Sequence, residues 1–323
     1  MKRIADCPVS NPIELLYAKT MLKNCLKSYT SKDPGFLEFA LMELGNNLLK
    51  HAGKGRLWII ATNNSLGIAS VDEGPGITDV ALAMRDGHTT LDNSLGIGLY
   101  SLSAHPSYRM GILSFSPHSG SRFLGTVLTL VESESTHPNQ TSLSLALFDS
   151  PYNGDFIIGR GRYLIIADVS GHGKKAYESA QEAIHFFTES HFSCVAASPF
   201  FKKLHEYLHQ KGLRSLVGCL VESSQEQWDL CGVGNISAVA FGDGDTAYRT
   251  FTPGIVGETL EELSNFAFSR KDGDRLALFT DGIDPRNALS VLSKSTDLPE
   301  ETVAVALIHF AGISDDQTVL ILS

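Results

Sequence analysis

No stretch of this 323-residue chain approaches the roughly 18–20 consecutive apolar residues that a membrane helix needs. Its opening, MKRIADCPVSNP, has two basic residues but no apolar segment behind them, so no secretory leader is expected. Cysteine is sparse and unpatterned. Cys7, Cys25, Cys194, Cys219 and Cys231 form no C-x-x-C pair and leave an odd count, which argues against a disulfide framework. They read instead as small buried hydrophobes in a reducing compartment. These absences predict a soluble, cytoplasmic protein without a membrane partner, in which the Asn139-Gln-Thr141 sequon carries no meaning. Positive charge is also missing where nucleic acid would demand it. Residues 132–323 hold 14 Lys and Arg against 26 Asp and Glu, whereas residues 1–131 hold 12 against 10. Nucleic acid is therefore excluded as a partner of the second half.

With 43% hydrophobic and 19% charged residues, the chain can fill two packed cores of ordinary domain size. Apolar spacing predicts helices over 12–29 and 34–51, the second capped by Asp33 before Pro34. RLWIIAT and LGIASVDEG read as a hairpin turning at Asn63-Asn64, 77–95 as a mobile polar loop, and Gly96 as the start of a short helix. Two strands follow, YRMGILSFS and SRFLGTVLTLV. The polar stretch ESESTHPNQT is the best linker, with the boundary at about 132–141. Beyond it come short apolar strands (LSLALFD, DFIIG, YLIIADVS, SLVGCLVES, QWDLCGVG, ISAVAFG, RLALFTDG, TVLILS), interrupted by helices at about 174–190, 195–211 and 285–310. Blocks of strand alternating with blocks of helix indicate α+β.

Aspartates fall at four strand ends in the second half. Asp155 opens DFIIG, Asp168 closes YLIIADVS, Asp281 closes RLALFTDG, and Asp315-Asp316 precede the last strand. Taken singly, an aspartate beside glycine is an ordinary turn residue. Carboxylates gathered at one rim of a sheet repel unless cations neutralise them, so the set implies bound metal, and hard oxygen donors favour magnesium or manganese over zinc. GDF, ADVSGHG, FTDGI and SDDQTVL, in this order, resemble the metal-binding motifs of the protein phosphatase 2C superfamily, with the sporulation stage II protein E branch nearest. WDLCGVGNISAVAF and FTPGIVGETLEE resemble that branch too. The resemblance implies a PPM-type α-β-β-α sandwich over 142–323 and two manganese or magnesium ions. Asp155 and Asp168 would bridge or flank the ions, with the Val169 carbonyl, Asp281 and Asp315 completing the shell and Asp316 standing behind it. It names no phosphate-binding arginine, although Arg160 and Arg162 lie nearby. His172 is open to two readings, proton donor or turn-stabilising residue.

In the first half, Glu43, Asn47 and Lys50 stand at i, i+4 and i+7, one polar stripe on an apolar helix. Asp72-Glu-Gly74-Pro-Gly76 follows a strand, where a carboxylate can accept from an amino group and glycine lets a backbone approach closely. Gly96-Ile-Gly98 opens a helix whose free amides favour phosphate. Each signal alone is common in solvated faces and turns. In this order they resemble the GHKL ATPase family (a Bergerat-type α/β sandwich) over 1–131, best the small serine kinases and anti-sigma factors of bacterial stress regulation. HAGKG, the segment at 86–90 and Gly125-Thr126 belong to that likeness. It implies ATP with magnesium: Asn47 on the metal, Asp72 on the adenine amino group, and Lys50, Gly74, Gly76, Gly96, Gly98 and Thr126 around the nucleotide. Glu43 would be the general base. Ser94 stands where that family usually has glycine, a departure that bears on turnover.

His205-Glu206-Tyr-Leu-His209 matches a zinc-protease pattern without a third ligand and reads as an amphipathic helix. Asp243-x-Asp245 reads as a hairpin turn. The expected function is a metal-dependent serine/threonine phosphatase acting on a phosphorylated STAS-domain or stressosome regulator, with an ATP-binding domain as sensor and a homodimer allowed. The alternatives are a bifunctional kinase and phosphatase of one partner, and a partner-switching protein that sequesters without chemistry.

Overall fold

A computed structural model describes residues 1–62, 65–85, 98–133, 140–189, 197–242 and 246–323. Among these, no helix is long and apolar enough to cross a membrane. The chain forms two compact units, one of Met1–Pro138 with Asp297–Phe310 and the other of Asn139–Thr296 with Ala311–Ser323.

The first unit opens on a strand that the sequence does not announce, β1 (Lys2–Val9), whose Pro8 is tolerable because β1 lies at a sheet edge. α1 (Pro12–Cys25) starts where the Asn11 side chain accepts from the amides of Ile13 and Glu14, and Pro12 pre-sets the first turn. α2 (Pro34–Asn47) starts in the same way, with Asp33 accepting from Phe36 N at 2.8 Å, as expected. The sequence predicts α-helix to residue 51, but Leu48–Ala52 winds as a π-turn that ends at Gly53 in a positive-φ conformation. β2 (Gly55–Thr62) and β3 (Ser65–Asp72) are the expected hairpin. Asp79 caps a single turn, α3 (Val80–Ala83), within the stretch expected to be loop. α4 (Gly98–Ser103), β4 (Tyr108–Phe115) and β5 (Gly125–Glu132) complete this stretch. The antiparallel sheet runs β1-β2-β3-β5-β4. On one face, Leu57, Ile59, Leu66, Ile68, Leu128 and Leu130 meet Leu15, Leu22, Leu37, Leu41 and Leu44 of α1 and α2.

Glu132 and Gln140, at the ends of the expected linker, belong to strands β5 and β6 (Gln140–Leu145). The second unit stacks two antiparallel five-stranded sheets. One runs β13-β10-β9-β8-β7: β7 (Phe156–Arg160), β8 (Tyr163–Val169), β9 (Leu216–Ser223), β10 (Gln227–Val233) and β13 (Ser264–Ser269). The other runs β12-β11-β14-β15-β6: β11 (Ser237–Phe241), β12 (Ala247–Thr250), β14 (Arg275–Phe279) and β15 (Gln317–Leu322) beside β6. Their inner faces share Ile166, Val221, Trp228, Leu230, Ala238, Leu276, Leu278 and Leu320. α5 (Lys174–Glu189) and α6 (Ala197–Lys211) cover the first sheet through Ala180, Phe187, Phe201 and Leu204, and α7 (Pro285–Leu292) lies against β11 of the second. That is an α-β-β-α sandwich. The short polar strands β12 and β13 were not evident from the sequence.

Helix is expected unbroken over 285–310, but α7 ends at Leu292 and a separate α8 (Glu300–Ala306) begins after Pro299, whose ring disfavours helix in the residue before it. α8 and the π-turn Leu307–Ala311 run through the segment 297–310, which completes the first unit. There Thr302 Oγ1 lies 2.7 Å from Thr129 Oγ1, and Glu301 accepts two bonds from Arg109 Nη2 at 2.7 and 2.8 Å. A side chain on Gly111 would collide with Thr302. Phe310 packs edge-on against Phe115. Arg109, Gly111 and Thr129 alternate with Met110, Ile112, Leu128 and Leu130 along β4 and β5, so α8 covers the face opposite α1 and α2. This coverage explains why every residue of β5 is buried.

Candidate active site

The second unit brings its strand-end aspartates together. Asp168, on the last turn of pleat in β8, stands between Asp155, which precedes β7, and Asp281, which follows β14. Burial, then the charges of Asp155, Asp281 and Asp315, push the Asp168 carboxyl up to about 9. Asp155 is pushed up to about 7, chiefly by burial, against hydrogen bonds from Thr280 (Oγ1 to Oδ2, 2.7 Å) and Thr318. Both carboxyls are thus held above the ordinary aspartate range, each acting on the other. Asp281 is exposed as a residue, but its carboxyl faces Asp168 and Asp315. Withdrawal from water, then the Asp315 charge, raise it, while Asn235 Nδ2 donates to it at 2.7 Å. Asp315 is exposed, and its carboxylate accepts from Asp316 N at 2.8 Å.

Asp316 is buried, and its role is structural. One oxygen accepts from Leu147 N at 2.7 Å and the other from Gly154 N at 2.8 Å, which fixes the strand start that presents Asp155. Gly282 has to be glycine, because a Cβ there would overlap the Asp316 carbonyl. Val169 is fully buried at the end of β8, opposite Leu216. Ser170 and Gly171 (φ +77) turn the chain away from it, and His172 is exposed beyond them.

No lysine or arginine is among the leading groups that act on Asp155, Asp168 or Asp281. Among the described residues no three acidic, histidine or thiol groups are gathered closely enough to hold a metal ion, and what links these carboxylates is their mutual electrostatic influence on Asp168. Hard oxygen donors that repel one another and hold protons above the ordinary aspartate range fit divalent cations of the magnesium and manganese type. Arg160 and Arg162 point elsewhere: Arg160 donates to Thr188 O and Arg162 pairs with Glu222 at 2.8 Å. Arg214, which sequence reasoning missed, donates to Ser170 O at 2.8 Å beside Gly171. Asn235 and Thr280 were missed as well, because only the folded sheets bring them to residues far away in sequence. His205, on α6, accepts at Nδ1 from Gly257 N, the part of a packed helix residue. Asp243 and Asp245 lie outside the described residues.

In the first unit the expected nucleotide residues form two groups. Asp72 ends β3 directly opposite Thr126, and its Oδ1 accepts from Gly74 N at 2.8 Å. Burial raises its carboxyl, against that bond. Ser114 Oγ links the group, 2.9 Å from Thr126 Oγ1 and accepting from Ile77 N at 2.7 Å. Gly76 is left-handed (φ +71), and a side chain on it would strike the Phe115 carbonyl. In the second group, a Cβ on Gly98 would lie 2.6 Å from Glu43 Oε2, so α4 opens with bare backbone against that carboxylate. Asn47 ends α2, one turn beyond Glu43. Lys50 departs from the expected stripe: it sits on the π-turn, where wider winding shifts its direction, and it is exposed. Gly96, Ser94 and the segment 86–90 lie outside the described residues.

The stage II sporulation protein E (SpoIIE) profile matches residues 159–323, just over half of the chain. The chain belongs to the SpoIIE family. Membership makes the second unit a PP2C-type serine/threonine phosphatase domain. The chain is also 32% identical over 92 residues to the serine/threonine-protein kinase RsbT of Bacillus subtilis (strain 168), covering 27% of this chain and 68% of that protein, which gives this SpoIIE member RsbT-like homology in its N-terminal part. Similar solved structures include RsbX in complex with magnesium (19% identity, TM-score 0.47, 57% of this chain and 94% of that one). Another is the catalytic domain of the phosphatase PstP with two manganese ions (15% identity, TM-score 0.43, 56% and 96%).

Proposed function

We propose that this protein removes phosphate from a phosphoserine or phosphothreonine on a STAS-domain regulator of the partner-switching type, using two manganese or magnesium ions. The observation that carries the reading is the convergence of Asp155, Asp281 and Asp315 on Asp168, which holds its carboxyl near 9. Asp155, Asp168, Asp281, Asp315 and the Val169 carbonyl are the groups that would hold the ions. Bound ions of this kind supply a hydroxide nucleophile near neutral pH and neutralise phosphoryl oxygens. The chain's own residues do the rest. Asp168 and Asp155 must be ionised to act as ligands. Thr280 orients Asp155 and Asn235 orients Asp281. Asp316 fixes the backbone on which Asp155 stands. The partner is inferred from the RsbT-like homology of the N-terminal part together with the phosphatase domain that follows it.

The test is phosphate release from a phosphoserine STAS protein with and without manganese, wild type against Asp168→Asn. Release that needs metal and vanishes in the variant supports the reading; no release under any metal from a folded protein refutes it.

A second reading adds kinase activity in the first unit. Its support is Glu43, whose carboxylate lies at the start of α4 and would act as general base for a serine hydroxyl, together with Asp72, which would accept from an adenine amino group. Asn47 would hold the magnesium of ATP. Glu43→Gln should then abolish phosphate transfer from ATP to the STAS protein and spare its dephosphorylation.

A further inference from the structure

Among the described residues only two non-glycines have positive φ, and they are adjacent: Phe148 (φ 54) and Asp149 (φ 53). Phe148 is also the most exposed large hydrophobic residue, at 90%. Two consecutive left-handed residues with side chains do not persist unless their surroundings enforce them. The enforcing group is Asp316, whose two carboxylate oxygens hold Leu147 N and Gly154 N and so clamp both ends of the loop 147–154. Tyr152 stiffens the far arm, with its ring 5.6 Å from that of Tyr177 on α5 and its amide donating to Ser150 Oγ. Asn153 Nδ2 donates to Ser144 Oγ at 2.7 Å.

The clamp lies among the aspartates described above, since Gly154 precedes Asp155 and Asp316 follows Asp315. An aromatic ring is therefore held out in water on a strained, anchored turn whose ends are fixed at the candidate metal site. Its surroundings decide what it meets. Asp149 adjoins it and the second half of the chain carries 26 acidic against 14 basic residues, which disfavours an anionic membrane. A small phosphate ester would engage the carboxylate rim and leave the ring in water. A folded protein presenting its phosphorylated side chain to Asp168 would bring its own surface up to this turn, and a pre-organised aromatic is the side chain that anchors such contacts.

We propose that Phe148 is a docking residue for the phosphoprotein substrate, inserting into an apolar depression beside the phosphorylated residue. This rests on the phosphatase reading above. The experiment compares wild type, Phe148→Ala and Phe148→Trp in manganese on two substrates, a phosphoserine STAS-domain protein and para-nitrophenyl phosphate. In Phe148→Ala, kcat/KM on the phosphoprotein should fall about tenfold, mainly through KM. Turnover of the small ester should stay within about twofold, and Phe148→Trp should regain most of the loss. An equal fall on both substrates would overturn the inference, because the loop would then be shaping the metal site. An unchanged rate on the phosphoprotein would overturn it as well. If the wild type released phosphate from neither substrate, the phosphatase reading itself would fail and the docking role with it.

Discussion

Replacing Asp168 with asparagine should inactivate the enzyme and, without metal, make it more stable. Asp168 keeps a proton near pH 7.5 that an unfolded aspartate would have released near 3.8, because burial and three neighbouring carboxylates oppose its ionisation. A carboxyl raised on folding favours the folded state only while the unfolded chain is protonated as well. That stability is lost as pH climbs above 3.8 and levels off near the folded value of about 9. At about 1.4 kcal/mol per pH unit, the interval up to pH 7.5 sets a ceiling near 5 kcal/mol. Relaxation of a partly open rim and entry of water reduce this, and about 1–3 kcal/mol is the expected gain from a neutral amide of the same shape. The assay is urea unfolding in EDTA at pH 7.5 and again at pH 5, where the gain should shrink. Added manganese should then stabilise the wild type and leave Asp168→Asn nearly unmoved. A variant less stable than wild type in EDTA at pH 7.5 would refute the electrostatic account.

Three further outcomes follow from the geometry. Because Asp155 and Asp168 must give up protons before binding a cation, apparent manganese affinity measured by titration calorimetry should rise steeply with pH from about 6 to 9, and a flat profile would count against them as ligands. Glu301→Ala removes both hydrogen bonds that Arg109 Nη2 donates to a carboxylate only 5% exposed, so unfolding of the first unit should become easier by about 1–3 kcal/mol in a denaturant titration. Gly282→Ala forces a methyl group onto the Asp316 carbonyl. It should cost about 1–3 kcal/mol and depress kcat on para-nitrophenyl phosphate, whereas an undisturbed rate would show that the Asp281 loop yields freely.

The strands beside Asp155, Asp168 and Asp281 were legible because each is a short apolar run bounded at one end by a carboxylate, and burial on both faces of the stacked sheets leaves no other pattern. The start of α2 was equally plain, since Asp33-Pro34 is local chemistry. What escaped depends on partners distant in sequence. β1 mixes polar residues and a proline and is a strand only because β2 supplies its ladder. Thr280 and Asn235 gain their roles from carboxylates brought over by other strands. Of two adjacent aspartates, the fold buries Asp316 as a clamp and leaves Asp315 at the rim, a distinction set by the amides of Leu147 and Gly154 and invisible in the letters. The break at Pro299 was readable, but the destination of the helix after it was not.

That destination bears on how the protein is made. The face of β4 and β5 that α8 covers belongs to a unit whose other residues end at Pro138, and its cover comes from residues 297–310. At about 5–20 residues per second, a ribosome needs roughly 10–30 s to travel between them. Throughout that interval the nascent first unit holds Arg109 without Glu301, and Gly111 and Thr129 without their cover. Its maturation therefore waits until most of the second unit has been translated.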